Sequence, residues 1–153
     1  MSISFGAGGY GVLAVNTTKV SLSATGDLQT YSLPAGQLAK TGDFLEMEAT
    51  ITPTTTYTGT VGLSFGGTSV AAYGGTGTNQ PLRLWGRVIR TGAATQKYTG
   101  NLIIQDSGTN IVFTYYGTIA ETLSAAITVK TSISAHTSGE INSELLVVKF
   151  GSL

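Results

Sequence analysis

The stretch that decides the fold is "SAAITVKTSISAH", residues 124–136. Its apolar and polar residues alternate. Ala125, Ile127, Val129, Thr131, Ile133 and Ala135 fall on one side, and Thr128, Lys130, Ser132, Ser134 and His136 on the other. Successive strand side chains point to opposite faces, so this pattern predicts a strand with one face in a core and one in water. A helix would need apolar residues at three- and four-residue spacing, and that spacing is absent here.

The same period of two recurs along the chain. "DFLEMEATI" (43–51) places Leu45, Met47, Ala49 and Ile51 together, opposite Phe44, Glu46, Glu48 and Thr50. "TNIVFTYYGTI" (109–119) groups Ile111, Phe113, Tyr115 and Ile119. Thr, Val, Ile and Tyr dominate these runs, as suits a pleated surface. Turn-forming clusters separate them: "TGD" at 25–27 and 41–43, "PAG" at 34–36, "GGT" at 66–68, "GGTGTNQP" at 74–81, "TGAAT" at 91–95, "DSGTN" at 106–110 and "TSGEIN" at 137–142. About nine or ten strands are predicted, near residues 12–23, 28–33, 43–52, 58–65, 68–73, 82–91, 96–105, 109–119, 124–136 and 143–150. Only "PAGQLAKTG" (34–42) has room for a helical turn.

Parallel strands need long crossovers, usually helical, so the sheets are expected to be largely antiparallel. The predicted fold class is an all-β, antiparallel, jelly-roll-like β-sandwich without substantial helix. Its 153 residues suit one sandwich domain at 13–153. Residues 1–12, with Gly6, Gly8, Gly9 and Gly11, read as a flexible arm whose Ile3, Phe5 and Tyr10 are candidate docking anchors.

Composition narrows the function. Only 10% of residues are charged, against about 25% in a typical soluble domain. Such a surface has little charge repulsion to keep copies apart, so self-association is expected. Net charge is zero and the sequence pI is about 6.5, which argues against a nucleic-acid partner. No apolar run is long enough for a membrane-spanning helix, and no membrane partner is expected. The N-terminus lacks the basic-then-apolar pattern of a signal peptide. There is no cysteine, and the single His136 lies at the outward end of its strand, so neither a metal site nor a triad is expected. Asp27, Asp43 and Asp106 lie beside turn glycines, where an Asx-turn is the simple reading and calcium the weaker one. "GGTGTNQP" lacks the lysine of a phosphate-binding loop. No catalytic residue and no cofactor is expected.

One strand stands apart. "LRLWGRVIRTG" (82–92) carries Arg83, Arg87 and Arg90, three of eight basic residues, around the only tryptophan, Trp85. Alternation sends Leu82, Leu84, Gly86 and Val88 to the core and Arg83, Trp85, Arg87 and Ile89 outward. Tryptophan and arginine are enriched at the energetic centres of protein interfaces. Glu46 and Glu48 share one strand face and so lie side by side instead of flanking a substrate. They are the natural countercharges for the arginines, within the sheet or across subunits. Arg83, Trp85, Arg87, Ile89, Glu46 and Glu48 form the candidate subunit or partner interface.

Three stretches, "GDLQTYSLPAGQLAKTGDFLEMEATI", "VGLSFGGTSV" and "LWGRVIRTGAATQKYTGNLI", together resemble a β-sandwich module of virion structural proteins of tailed phages. The likeness spans roughly residues 26 to 150 and consists of strands and turns, with no catalytic signature. It implies a jelly-roll-like, commonly trimeric virion protein. Such modules occur as capsid decoration proteins or at the ends of fibres and spikes. The short chain, with its own initial Met and no long shaft, favours a capsid decoration or cement protein. Its expected partners are other copies of itself in a homotrimer and the major capsid protein or another virion protein. A receptor-binding module of a tail fibre or spike is the alternative.

Overall fold

A computed structural model of the chain describes residues 9–76, 79–106 and 109–153. Eleven strands are formed among them: β1 (Tyr10–Asn16), β2 (Val20–Leu22), β3 (Gly26–Leu33), β4 (Phe44–Pro53), β5 (Thr58–Phe65), β6 (Thr68–Thr76), β7 (Leu82–Gly92), β8 (Thr95–Asp106), β9 (Thr109–Ile119), β10 (Ile127–Ser138) and β11 (Ile141–Gly151). All pairings are antiparallel. The larger sheet runs β1-β11-β4-β7-β8-β9, with β2 also on β11, and the smaller runs β3-β10-β5-β6.

This order is a jelly roll with one addition. β1 and β2 together, β11, β4 and β7 make one four-membered layer, and β3, β10, β5 and β6 make the other. The chain crosses between layers after β2, β3, β4, β6, β9 and β10, as two interlocked Greek keys require. The hairpin β8–β9 is appended to β7 and has no counterpart in the smaller sheet.

Packing follows the alternation. Leu45, Met47, Ala49 and Ile51 of β4 are fully buried, as are Leu82, Leu84 and Val88 of β7. Val61, Leu63 and Phe65 of β5 meet them from the other layer with Ile127, Val129 and Ile133 of β10. Thr131 is inward and fully buried, which requires a partner for its hydroxyl. It accepts from the Gln29 amide at 3.1 Å and lies 3.1 Å from Ser143 Oγ, which donates to Gln29 Oε1 at 2.9 Å. Gln29 Nε2 then donates to the Thr18 carbonyl at 2.7 Å, tying the β1–β2 turn to the core.

Turns use the residues their backbone demands. Gly66 takes φ 58° in the tight β5–β6 hairpin, where a side chain would also strike Glu121. Asn79 takes φ 55°, in the left-handed region that asparagine tolerates.

Several expectations need correction. The run 12–23 is two strands, broken at 17–19. The arm does not extend to residue 12: β1 starts at Tyr10 and pairs with β11, because Gly151 to Leu146 offer it an open edge. Ile3 and Phe5 lie outside the described residues. Ala125 precedes β10 and is exposed, and Ala135 is exposed because the ladder shifts register after Ile133. Residues 34–43 hold turns and no helix; they are pinned where Arg90 Nη1 donates to the Leu38 carbonyl at 2.6 Å. Ile111 and Phe113 are 44% and 47% exposed. Their strand β9 overhangs the smaller sheet, whose nearest strand β6 passes through Gly74 and Gly75 beyond Tyr73 and gives them little cover.

The two faces of β10 are expected to respond differently to truncation. Ile127→Ala should cost about 2–5 kcal/mol in a urea unfolding curve, as buried large-to-small changes do. Lys130→Ala, which removes a part-exposed 2.7 Å pair with Asp27, should cost less than about 1 kcal/mol. Similar costs would contradict the inward and outward assignment.

Candidate interaction face

The register of β4 against β7 sets Phe44 opposite Ile89, Glu46 opposite Arg87, Glu48 opposite Trp85 and Thr50 opposite Arg83. All eight side chains share the outer face of the larger sheet. Glu46 and Arg87 bridge directly at 2.7 Å, and Arg83 reaches diagonally to Glu48 at 2.7 Å. The countercharges thus come from the same sheet. Trp85 is half-buried between two shallow grooves, one beside Val147 and Lys149, the other of about 220 Å³ beside Asn101 and Ile103. Arg90 has the opposite parity and belongs to the rim, where it also donates to the Gly92 carbonyl at 3.1 Å.

A second cluster adjoins this one. The Phe44 ring lies flat enough on the sheet for the Arg87 guanidinium to sit 4.3 Å from its centroid. Such a cation–π contact adds to the ion pair instead of competing with it. Tyr10 of β1 packs 6.2 Å from Phe44 and donates its hydroxyl to Glu46 Oε2 at 2.6 Å. Gly151 is required beneath, since a Cβ there would overlap the Phe44 ring. Glu46 therefore serves two partners, one on each oxygen. Partial desolvation of the phenol, then the hydrogen bond to Glu46 and its negative charge, push it up to about 12, against the opposing pull of Arg87.

The face continues to both edges. Tyr10, Val12 and Val15 of β1 register with Gly151, Lys149 and Val147, which share the outward side with Phe44, Glu46 and Glu48. Each of the three is more than half exposed. On the other side Arg87, Ile89, Lys97, Tyr98, Thr99, Tyr116, Gly117 and Thr118 line a groove of about 430 Å³. Apolar side chains thus run across the sheet, with Arg83 and Arg87 paired to its two glutamates and Lys97 and Lys149 outside the ion pairs of the described residues.

His136, Asp43 and Asp27 make contacts within the fold. His136 Nε2 lies 3.0 Å from the Gly139 carbonyl and its ring is 6.2 Å from that of Tyr57. Asp43 is buried, accepting from the Lys40 amide and from Ser152 Oγ, each at 2.7 Å. Asp27 pairs with Lys130. The Asp106 side chain lies outside the described residues. No cluster of three metal-ligating side chains occurs among the described residues. The sequence reading missed Val12, Val15, Val112 and Tyr116 as parts of an exposed apolar surface. Their signal was present: runs with apolar residues at both parities and no charge.

No protein-family model matches this chain, and no curated protein matches it. Among solved structures, a protein of unknown function from Shewanella oneidensis MR-1 aligns with 13% identity and a TM-score of 0.46, over 95% of this chain and 77% of that one.

The Tyr10–Glu46 bond gives a pH signature. The folded-state value of Tyr10 lies above its ordinary 10.0, so the proton is held more tightly when folded. Its stabilising contribution is complete below pH 10 and is lost as pH rises toward 12. Tyr10→Phe should therefore lose stability less steeply than the parent across that window in thermal melts. Parallel curves would show that the bond does not form.

Proposed function

We propose that this chain is a non-enzymatic structural protein of a tailed-phage virion, binding the capsid surface as a decoration or cement protein in a homotrimer. One observation carries the reading: the outer face of the larger sheet is an extensive apolar surface centred on Trp85, with its carboxylates already committed to arginines. A face meeting only water gains nothing from Trp85, Ile89, Tyr10 and Tyr116 spread across it. A subunit or shell protein seated there would bury them, with Trp85 and Arg87 as anchors. The sequence resemblance to virion modules supplies the setting. The major capsid protein or another virion protein is the partner, with no role for nucleic acid or membrane. A second reading, a receptor-binding module of a tail fibre or spike, draws on the groove at Lys97 and Tyr116, where an aromatic ring and a cation could hold a host-surface ligand.

Labelling the protein in imaged phage particles separates the two readings. Signal across the whole head supports decoration, signal confined to the tail supports the fibre or spike reading, and no signal on particles rejects both. For assembly, sedimentation of the parent at low concentration is expected at the mass of three 15.7 kDa chains. The Trp85→Ala, Arg87→Ala double variant should sediment lighter with its β-type circular dichroism intact. A double variant that remains a full trimer removes this face from the subunit contact.

A further inference from the structure

We propose that β9 is a self-pairing edge, joining β9 of a second copy antiparallel about a two-fold axis at Thr114. The inference does not rest on the virion reading. Exposed sheet edges invite strand addition, and natural proteins guard them with bulges, charges, proline or brevity. The other long edges here are guarded. β1, β3 and β6 each carry a register shift against their neighbour, and β2 has three residues. β9 has none of these guards. It runs eleven residues in unbroken register with β8, and "TNIVFTYYGTI" contains no charge and no proline.

The side chains on that edge fit their own reverse. Val112 and Tyr116 are 56% and 81% exposed on the outer side, and Phe113 is exposed on the inner side. Reversal about Thr114 sets Val112 against the partner's Tyr116, Phe113 against the partner's Tyr115 and Ile111 against the partner's Gly117. Each pairs a bulky ring with a branched or aromatic neighbour, or a branched chain with open space, which are favourable cross-strand combinations. An axis at Phe113 would set Tyr116 against Asn110, and an axis at Tyr115 would set Phe113 against Gly117; both leave a large ring without an apolar partner. With no charge on either strand, nothing repels. An eleven-residue edge is only about 36 Å long at roughly 3.3 Å per residue. It covers less than the roughly 800 Å² per partner of a standard interface, so the pairing is concentration-dependent.

The test uses the full chain in two backgrounds, the parent and the Trp85→Ala, Arg87→Ala variant, so that loss of the outer-face contact cannot be mistaken for loss of this one. Thr114→Lys places two like charges at the axis without touching the core, since Thr114 is exposed. In the double-variant background the chain with native β9 should reach twice the monomer mass as concentration rises. Thr114→Lys should hold it at one, with unchanged circular dichroism. The chain has no cysteine, so Thr114→Cys reports this contact by itself. It should form a disulfide-linked dimer under mild oxidation, whereas Ser134→Cys, exposed on the smaller sheet, should not. An unchanged mass in the lysine variant, or cross-linking no better at 114 than at 134, overturns the proposal.

Discussion

The register of β4 is the constraint on which the rest depends. β4 lies between β11 and β7 and pairs with β7 through eight consecutive positions without a shift. A slip of one residue would turn every side chain over. Glu46 and Glu48 would enter the core and Leu45, Met47, Ala49 and Ile51 would face water. Burying an unpaired carboxylate costs several kcal/mol, so the alternative register is closed. The same choice fixes what stands outside. Once the leucine and methionine are inward, the two glutamates must meet β7 on the outer side, where its own alternation has placed the arginines and Trp85. The interaction face is the reverse side of the core packing.

The second constraint is unequal layer size. The eight roll positions build two layers that cover each other, and the β8–β9 hairpin extends only one of them. Its inner side is met by β6, through contacts such as the 2.6 Å bond from Tyr115 Oη to the Ala72 carbonyl, and by the β9–β10 connection, where Gln96 Nε2 donates to the Glu121 carbonyl at 3.0 Å. Past Ala72, β6 has only Tyr73, two glycines and Thr76 left. The hairpin therefore keeps full backbone pairing on its β7 side while exposing apolar side chains on both faces and a bare edge. The hairpin contributes Leu102, Ile104 and Ile119 to the core, while Ile111, Val112, Phe113 and Tyr116 of β9 stay exposed.

Alternation and turn chemistry in the sequence were enough to locate nearly every strand, because both are local properties. Where they failed, the cause was not local. Ala135 has the right parity but follows a register shift, which no single strand's pattern reveals. Ile111 and Phe113 have inward parity and point inward, yet lack a layer above them; coverage depends on how many strands the other sheet holds. Tyr10 looked like an anchor in a glycine-rich arm, but the open edge of β11 captures it into a strand. For the candidate face, the Arg–Glu pairing could be read from charge scarcity on alternating strands. The cluster of Tyr10, Phe44 and Arg87 could not, since it joins β1 to β4 and β7 across β11 and requires Gly151 to leave space.

The state of the charges decides what kind of contact this face can make. Arg87 is bridged to Glu46 and stacked on Phe44, and Arg83 is bridged to Glu48. A partner that covers them buries pairs already formed, so it need not bring its own carboxylates to avoid stranding a charge. The pairs still lose water, and that loss offsets much of their mutual attraction. What remains to drive association is apolar area: the indole of Trp85, the side chains of Ile89, Tyr10 and Val12, and the exposed rings of β9. Burial of such surface is hardly screened by salt, whereas long-range attraction between exposed charges fades beyond about 10 Å at 0.1 M ionic strength. A partner that covered this face would thus be held by shape and apolar contact around Trp85, with Arg83 and Arg87 already paired within the sheet and not steering it from a distance.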